Sequence, residues 1–410
     1  MLDIDRWQEI GSTIRHHKLR TALTGLSVAW GIFMLVILLA AGKGLQNTAA
    51  YGFRDDAVNS IWVRSGRTTK PYRGRAVGRE IQFTTADYDA ARDRVPGIDH
   101  ISARLHLWGE FTVTYKNQHA SFDIRACHPD HLYIERTTMV RGRFINQRDL
   151  DERRKVAVIG TKVVDQLFGD EDPIGKIITI GSINYKVVGI YEDEGGEGEL
   201  RKIYLPITTA QMAYGGGDRI DMFMFTVGDA PVDEAKRIEQ SVRRQLARRH
   251  AFDPDDPRAL WIRNNLENYE KITSVLHKID LFVWLIGIGT ILAGIVGVSN
   301  IMLISVKERT KEFGVRKAVG ATPGSIVTLV VQEALLLTSV SGYFGLVAGV
   351  GLVEAINAAI PDMTAFRHPD VDVGVAAAAT AILVVAGVLA GIFPAWRAAR
   401  IRPVVALRDE

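Results

Sequence analysis

The chain has 410 residues, 47% hydrophobic and 24% charged, with a formal net charge of +3. A length of this order allows roughly two or three domains, but the apolar residues gather in four blocks, which excludes a wholly soluble protein. Cys127 is the only cysteine, which excludes an internal disulfide, so any large domain must be held by an ordinary hydrophobic core.

In chain order, the flank 1–20 carries Arg6, Arg15, Lys18 and Arg20, and residues 21–42 follow without a charge. A bilayer core about 30 Å thick needs roughly 20 apolar residues as a helix. In hydrocarbon every backbone group needs an internal partner, so 21–42 is expected to be a transmembrane helix. A cleavable signal peptide is the competing reading, but the apolar run and the segment before it are too long for one. Residues 43–58 are expected to extend the helix as a stalk.

Residues 43–280 are expected to form a large mixed α/β domain with helical stalks at both ends. Strands are expected over 59–64, 98–107, 111–116, 120–126, 155–159, 176–180, 184–191, 201–205, 221–227 and 259–263. Helices are expected over 86–95, capped by Thr85, and over 161–168, 208–213 and 231–249. The last opens on Pro231 and acids and closes on basic residues, which suits the helix dipole. The second stalk, 266–280, has Leu266, Tyr269, Ile272, Val275, Leu276 and Ile279 at helical spacing.

Three polar stretches in this region could be mistaken for sites. Cys127-His128-Pro129-Asp130-His131 has two histidines beside a soft ligand, but no second cluster at ligand spacing, so a surface turn is expected rather than a metal centre. Residues 192–199, EDEGGEGE, lack the alternating ligands of a calcium loop and are expected to be a solvated turn. Arg67, Lys70, Arg73, Arg75 and Arg79 form a basic loop, open to solvent, to anionic lipid headgroups or to a partner. No aromatic platform accompanies it, so nucleic acid is not an expected partner.

Three further apolar blocks follow. Residues 281–306 and 373–396 are uncharged, and 324–353 contains a single acid, Glu333. An acid inside a span is a functional candidate by default, with a helix-packing hydrogen bond as the alternative. Gly345/Gly349 and Gly387/Gly391 are GxxxG pairs, and Gly287, Gly289, Gly294 and Gly297 stud the second block, so close helix contacts are expected, and because four spans make only a small bundle, oligomerisation is expected as well. The flanks 1–20, 307–317 and 397–410 hold thirteen Lys/Arg, against one, Arg367, in the loop 354–372. Basic flanks stay inside, so both termini and 307–323 are expected in the cytoplasm, with 43–280 and 354–372 outside. The fold class is therefore an integral membrane protein of four transmembrane helices with a large extracytoplasmic α/β domain.

Residues 307–323, KERTKEFGVRKAVGATP, are too short and too charged to be a domain. A helix over 307–319 is expected, stopped by Gly320, with Thr322 capping the next helix at Pro323. It would lie on the cytoplasmic surface as a handle for a partner protein, with Phe313 and Val315 as apolar contacts, or bind membrane lipid. The chain's Gly-Lys pairs, Gly42-Lys43 and Gly175-Lys176, lack a following Ser or Thr, so no nucleotide cradle is expected. No catalytic, cofactor or metal residues are assigned. ATP and Mg, where used, belong to another chain.

The segment 307–323 resembles the cytoplasmic coupling segment of MacB/FtsX-type ABC transporter permeases. The tail Pro394-Ala395-Trp396-Arg397-Ala398-Ala399-Arg400 through Arg408 resembles the family's C-terminal signature, and His17-Lys18-Leu19-Arg20-Thr21 its entry to the first span. Val158-Ile159-Gly160, Leu167 through Lys176, and Arg201 through Gln211 resemble the MacB-type periplasmic core. The resemblance implies a homo- or heterodimer of permeases in the bacterial inner membrane, working with ABC ATPase subunits by mechanotransmission. It allows a periplasmic adaptor and an outer-membrane channel as further partners. It assigns the ATPase contact to Glu308, Arg309, Glu312, Phe313, Gly314, Arg316, Lys317 and Gly320. MacB carries a fused ATPase at its N-terminus, whereas twenty residues precede the first span here, so a separate ATPase chain is expected. Export or extraction of a drug, peptide or lipoprotein is the leading expectation. An FtsX-like regulator of a cell-envelope enzyme and a membrane sensor or receptor are the alternatives.

Overall fold

The computed structural model describes residues 18–54, 56–107, 111–359 and 373–402. Arg6, Arg15, Arg408 and most of the loop 354–372, including Arg367, lie outside them. The chain divides into two units, Met1–Ala49 with Ser274–Glu410, and Ala50–Thr273.

The first unit is helical. Its elements are α1 (Lys18–Tyr51), α2 (Asn265–Glu308, which begins in the other unit), α3 (Thr310–Ala318), α4 (Pro323–Ala359) and α5 (Val373–Ala399). The segment Ala22–Ala49 of α1, together with α2 and α4, is long and apolar enough to cross a membrane. In α5 the described apolar stretch is Val384–Ala399. The expected second stalk and span are one unbroken helix, α2. The first stalk ends at Tyr51 rather than 58, because the chain turns at Gly52, a residue that readily leaves the helical conformation. Gln46 of α1 donates to the Asp280 carboxylate of α2 at 2.8 Å.

Val36, Val298, Phe313, Val330 and Ala390 lie in the core of this unit. Small residues set the helix approach. A Cβ on Gly345 would come within 2.2 Å of the Ala29 carbonyl oxygen, and one on Gly387 within 2.2 Å of the Thr338 hydroxyl. Both GxxxG pairs therefore make close helix contacts within the chain.

The second unit is built on one mixed sheet. Its strands are β1 (Ser60–Ser65), β2 (Phe83–Thr84), β3 (Ile101–His106), β4 (Thr112–Tyr115), β5 (Gln118–Ser121), β6 (Asp123–Cys127), β7 (Thr138–Gly142), β8 (Val156–Gly160), β9 (Ile177–Ile180), β10 (Ile183–Glu192), β11 (Lys202–Pro206), β12 (Arg219–Ile220), β13 (Met222–Thr226) and β14 (Leu260–Asn264). The order is β14-β1-β13-β3-β6-β11-β8-β10-β9-β4-β5, with β7 on β10 and a separate β12–β2 pair. β10 runs parallel to β8 and β11 parallel to β6. The outermost pair joins β1 and β14 antiparallel, so the chain enters and leaves this unit beside one sheet edge.

Ile61, Val63, Ala103, Phe223 and Phe225 are inward residues of alternating strands, buried in the main core. The expected strand 120–126 is two strands, β5 and β6, interrupted at Phe122. The short elements β2, β7, β12, His131–Ile134, Gln147–Asp151 and Glu197–Leu200 were not expected, since so few residues show no period. The cap of helix Thr85–Arg94 is Thr84, not Thr85. The Asp87 carboxylate accepts from the Thr84 N–H at 2.9 Å and from its hydroxyl at 3.1 Å, while the Thr85 N–H donates to the Asp218 carbonyl at 2.8 Å.

Candidate functional site

The segment between the second and third long helices is shaped by one arginine. α2 ends at Glu308 and α3 starts at Thr310, with Arg309 between them at φ −95° and ψ 15°. Its guanidinium donates to both Glu312 carboxylate oxygens, at 2.7 and 2.8 Å, and to Glu333 at 3.1 Å. It also lies 5.2 Å from the centre of the Phe313 ring. The Arg309 and Glu333 side chains are 14% and 8% exposed. Glu333, read from the sequence as a lone acid within a span, is thus one half of an ion pair whose other half lies at the helix break. Charge-assisted bonds of this kind are strong where water is scarce.

The eight residues assigned to a partner contact do not share one surface. Phe313 is fully buried and Gly314 is buried, which corrects the expectation that Phe313 is presented outward. An exposed phenyl ring would forfeit roughly 2–3 kcal/mol of burial, and here it joins the unit's core. Lys317 donates to the carbonyl of Ala399 and, at 2.9 Å, to that of Ile401. A cation there satisfies acceptors left open at the end of α5. Glu308, Lys311, Val315 and Gly320 are exposed. Arg316, partly buried, pairs with Glu312 at 3.0 Å. Gly320 adopts φ +106°, a left-handed position that ends the turn after α3. The Ser325 N–H donates to the Thr322 hydroxyl at 3.3 Å, and Pro323 is the first residue of α4. The outcome is a short helix fixed by Arg309, Phe313 and Lys317, with a mixed-charge outer face.

In the α/β unit the stretch around Cys127 is buried, not a surface turn. Cys127 and His131 are fully buried and His128 is 8% exposed. The Ala103 N–H donates to His128 Nδ1 at 3.1 Å, and burial takes the His128 imidazole down to about 4. His131 Nε2 lies 2.9 Å from Glu135, Tyr204 donates to Glu135 at 2.7 Å, and Arg104 pairs with Glu135 directly. Burial pulls the Glu135 carboxyl upward, but Arg104, with His131 and Arg125, outweighs it and holds it well below the usual range. Among the described residues no group of three His, Cys, Asp or Glu could hold a metal ion.

The acidic stretch 192–199 is likewise more than a solvated turn. Glu199 pairs with Lys202, and burial, helped by Arg125, lowers the Lys202 ammonium to about 8. In the basic loop, Arg79 donates to the carbonyls of His250 and Ala251, at 2.7 and 2.9 Å, and Lys70 to that of Asp255 at 2.9 Å. These two basic groups therefore serve the loop's own attachment. Arg104, Glu135, Lys202 and Tyr204 were missed in the sequence because they lie far apart along it. A charged residue inside an otherwise alternating strand, as Arg104 is in β3, was the available signal.

Residues 21–244 match the MacB-like periplasmic core domain, and residues 284–403 match the FtsX-like permease C-terminal domain. The macrolide export ATP-binding/permease protein MacB of Chlorobaculum tepidum is 29% identical over 97% of this chain and 60% of its own length. The pyoverdine export ATP-binding/permease protein PvdT of Pseudomonas savastanoi is 30% identical over 96% of this chain and 58% of its own. The chain spans about three fifths of the length of the curated relatives it matches. Among solved structures, the periplasmic region of MacB from Actinobacillus actinomycetemcomitans is 18% identical, with a TM-score of 0.44, over 56% of this chain and 98% of that one. With one family model over more than half of the sequence and a second over most of its C-terminal third, the chain belongs to the MacB/FtsX-type family of ABC transporter permeases.

Proposed function

We propose that this chain is a permease subunit that converts ATP hydrolysis in a separate ATPase chain into movement of its outer domain. The observation that carries this reading is the geometry of α3. It is anchored on one side by Phe313, the Arg309–Glu333 pair and Lys317, and it presents Glu308, Lys311 and Val315 on the other. A helix held in this way moves with α2 and α4 when a partner pushes on its outer face. α2 continues without a break from Glu308 back to Asn265, so displacement at α3 has a helical route out of the membrane.

In this reading α1, α2, α4 and α5 are four spans, both termini and α3 are cytoplasmic, and residues 43–280 work in the periplasm of a bacterial inner membrane. Two permeases act together, ATP and Mg are held by the ATPases, and cargo is handled on the outer side. The relatives' names pair export with ATP binding, and this chain would act in export or extraction of a drug, peptide or lipoprotein. A periplasmic adaptor and an outer-membrane channel would extend the path.

The test is charge reversal on the outer face of α3 alone. Lys311→Glu with Arg316→Glu should abolish co-purification with the ATPase and stimulation of its turnover. Lys317 is left intact because it holds the end of α5. Unchanged binding and stimulation in the double variant would remove the basis for the coupling role.

A further inference from the structure

Two strands of the α/β unit repeat one pattern. β1 contains Trp62-Val63-Arg64 and β14 contains Trp261-Ile262-Arg263. The strands pair antiparallel, with Trp62 opposite Arg263 and Arg64 opposite Trp261. Side chains alternate along a strand and directly opposed residues share a face, so the four form a square on one face, while Val63 enters the core on the other. The next strands continue the row, with Met222 opposite Arg64 and Arg104 opposite Met222. These residues line a cleft of about 350 Å³, within the range of roughly 300–1,000 Å³ for small-molecule sites.

The two halves of the square are not equivalent. In one, the Arg263 and Arg104 guanidinium groups lie 5.1 and 5.0 Å from the Trp62 ring, and Arg263 pairs with Asp56. That half holds its own counter-ion. In the other, Trp261 is 50% exposed, and the Arg64 side chain, also exposed, has no hydrogen bond or ion pair among the described residues.

The cleft is lined by four carboxylates and four guanidinium groups, but the two sets are not engaged alike. Its carboxylates are engaged, Asp56 by Arg263, Glu135 by Arg104 and His131, and Glu199 by Lys202, and Asp193 accepts from the Gly195 N–H at 2.7 Å. The guanidinium donors are not all engaged. Arg104 is 4% exposed, and the buried Nε atoms of Arg104 and Arg263 lack an acceptor. A cleft with one exposed guanidinium, Arg64, and one open indole face, Trp261, complements an anionic group on a flat apolar body.

We propose that this cleft is a binding site for an aromatic or flat amphipathic organic anion, with its carboxylate or phosphate held by Arg64 and its ring system stacked on Trp261. The site lies within the α/β unit, and the inference does not rest on the transport reading.

The experiment uses the full chain in nanodiscs and titration calorimetry with four probes: naphthalene-2-carboxylate, phenyl phosphate, acetate and 2-naphthylmethylammonium. Saturable binding of at least one of the two aromatic anions is expected, with the preferred probe separating a carboxylate site from a phosphate site. Acetate and the ammonium probe should bind at least tenfold more weakly. Arg64→Ala should weaken binding about tenfold or more, as loss of a charge-assisted hydrogen bond does. Arg64→Lys should restore part of it, and Trp261→Ala should weaken the aromatic anions while leaving acetate unchanged. Arg64 is exposed, so unfolding would not confound its variants, and an unchanged melting temperature checks this. Any of three results would overturn the proposal: no saturable binding of either aromatic anion up to roughly 10 mM, equal binding of the ammonium probe, or undiminished binding in Arg64→Ala.

Discussion

The two units use buried charge differently. In the helical unit the buried and partly buried ionic groups gather around one short helix, with Arg309 between α2 and α3 paired to Glu333 of α4, and Lys317 of α3 on the carbonyls at the end of α5. In the α/β unit they gather across strands, in a network of Arg104, Arg125, His131, Glu135 and Tyr204. The first arrangement fixes the orientation of one short helix relative to two long ones. The second holds several strands around a cleft. A charge pair at a helix break ties one short helix to its long neighbour, whereas a cross-strand network ties several strands together.

The difference can be broken from either side, and the largest effect should fall in the α/β unit. Glu135→Ala leaves Arg104 and His131 buried without their anion and should destabilise that unit by about 3–5 kcal/mol, seen as an early transition in thermal unfolding of the full chain. An unchanged transition would mean that the network does not hold the strands.

The next effect concerns Asp87, whose carboxylate accepts from Arg249 at 2.6 Å and lies 3.0 Å from His250 Nε2. Burial works against its charge, but His250, Arg249 and the Thr84 N–H prevail and hold it at about 2, below its usual 3.8. A lowered carboxyl contributes stability that is full above its unfolded value and lost as pH falls toward its folded one. Asp87→Ala should therefore cost about 3 kcal/mol at neutral pH, and the difference from the unaltered chain should shrink between pH 4 and pH 2. A pH-independent difference would contradict the ion pair.

A smaller loss of about 2 kcal/mol is expected for Arg309→Ala, which strands Glu333. It should also lower stimulation of the ATPase, and Arg309→Ala combined with Glu333→Gln should recover stability but not stimulation. Recovery of both would make the pair purely structural. The smallest effect belongs to Lys311→Glu with Arg316→Glu, which gives up the Arg316–Glu312 pair and should alter stability by no more than about 1 kcal/mol while removing coupling. A large loss of stability there would show that this face is not free for a partner.

Much of this organisation was legible in the sequence. Long uncharged runs need no tertiary context, so the helices at 21–42, 281–306, 324–353 and 373–396 could be read directly. The strands of the main core were legible where inward residues alternate, as at Ile61 and Val63. The failures share a cause. Phe313 and Lys317 look like surface residues of a charged segment, and only packing against α4 and α5 turns them inward. His131 and Glu135 look like a polar turn, because their partner Arg104 is 31 residues from Glu135. Trp62-Val63-Arg64 and Trp261-Ile262-Arg263 were visible as words, but their meaning depends on a register set by β1 and β14 meeting across the whole domain.

The central claim is that movement at α3 reaches the outer domain. It is tested most directly with a spin label at Arg67→Cys, an exposed position of that domain. Distances between the labels of two copies would be measured in the reconstituted complex with and without ATP, with the buried Cys127 left in place. The account predicts a distance change on adding ATP that disappears in the Lys311→Glu, Arg316→Glu background. An ATP-dependent change that persists undiminished in that background, or no change in the unaltered coupling segment, would contradict it.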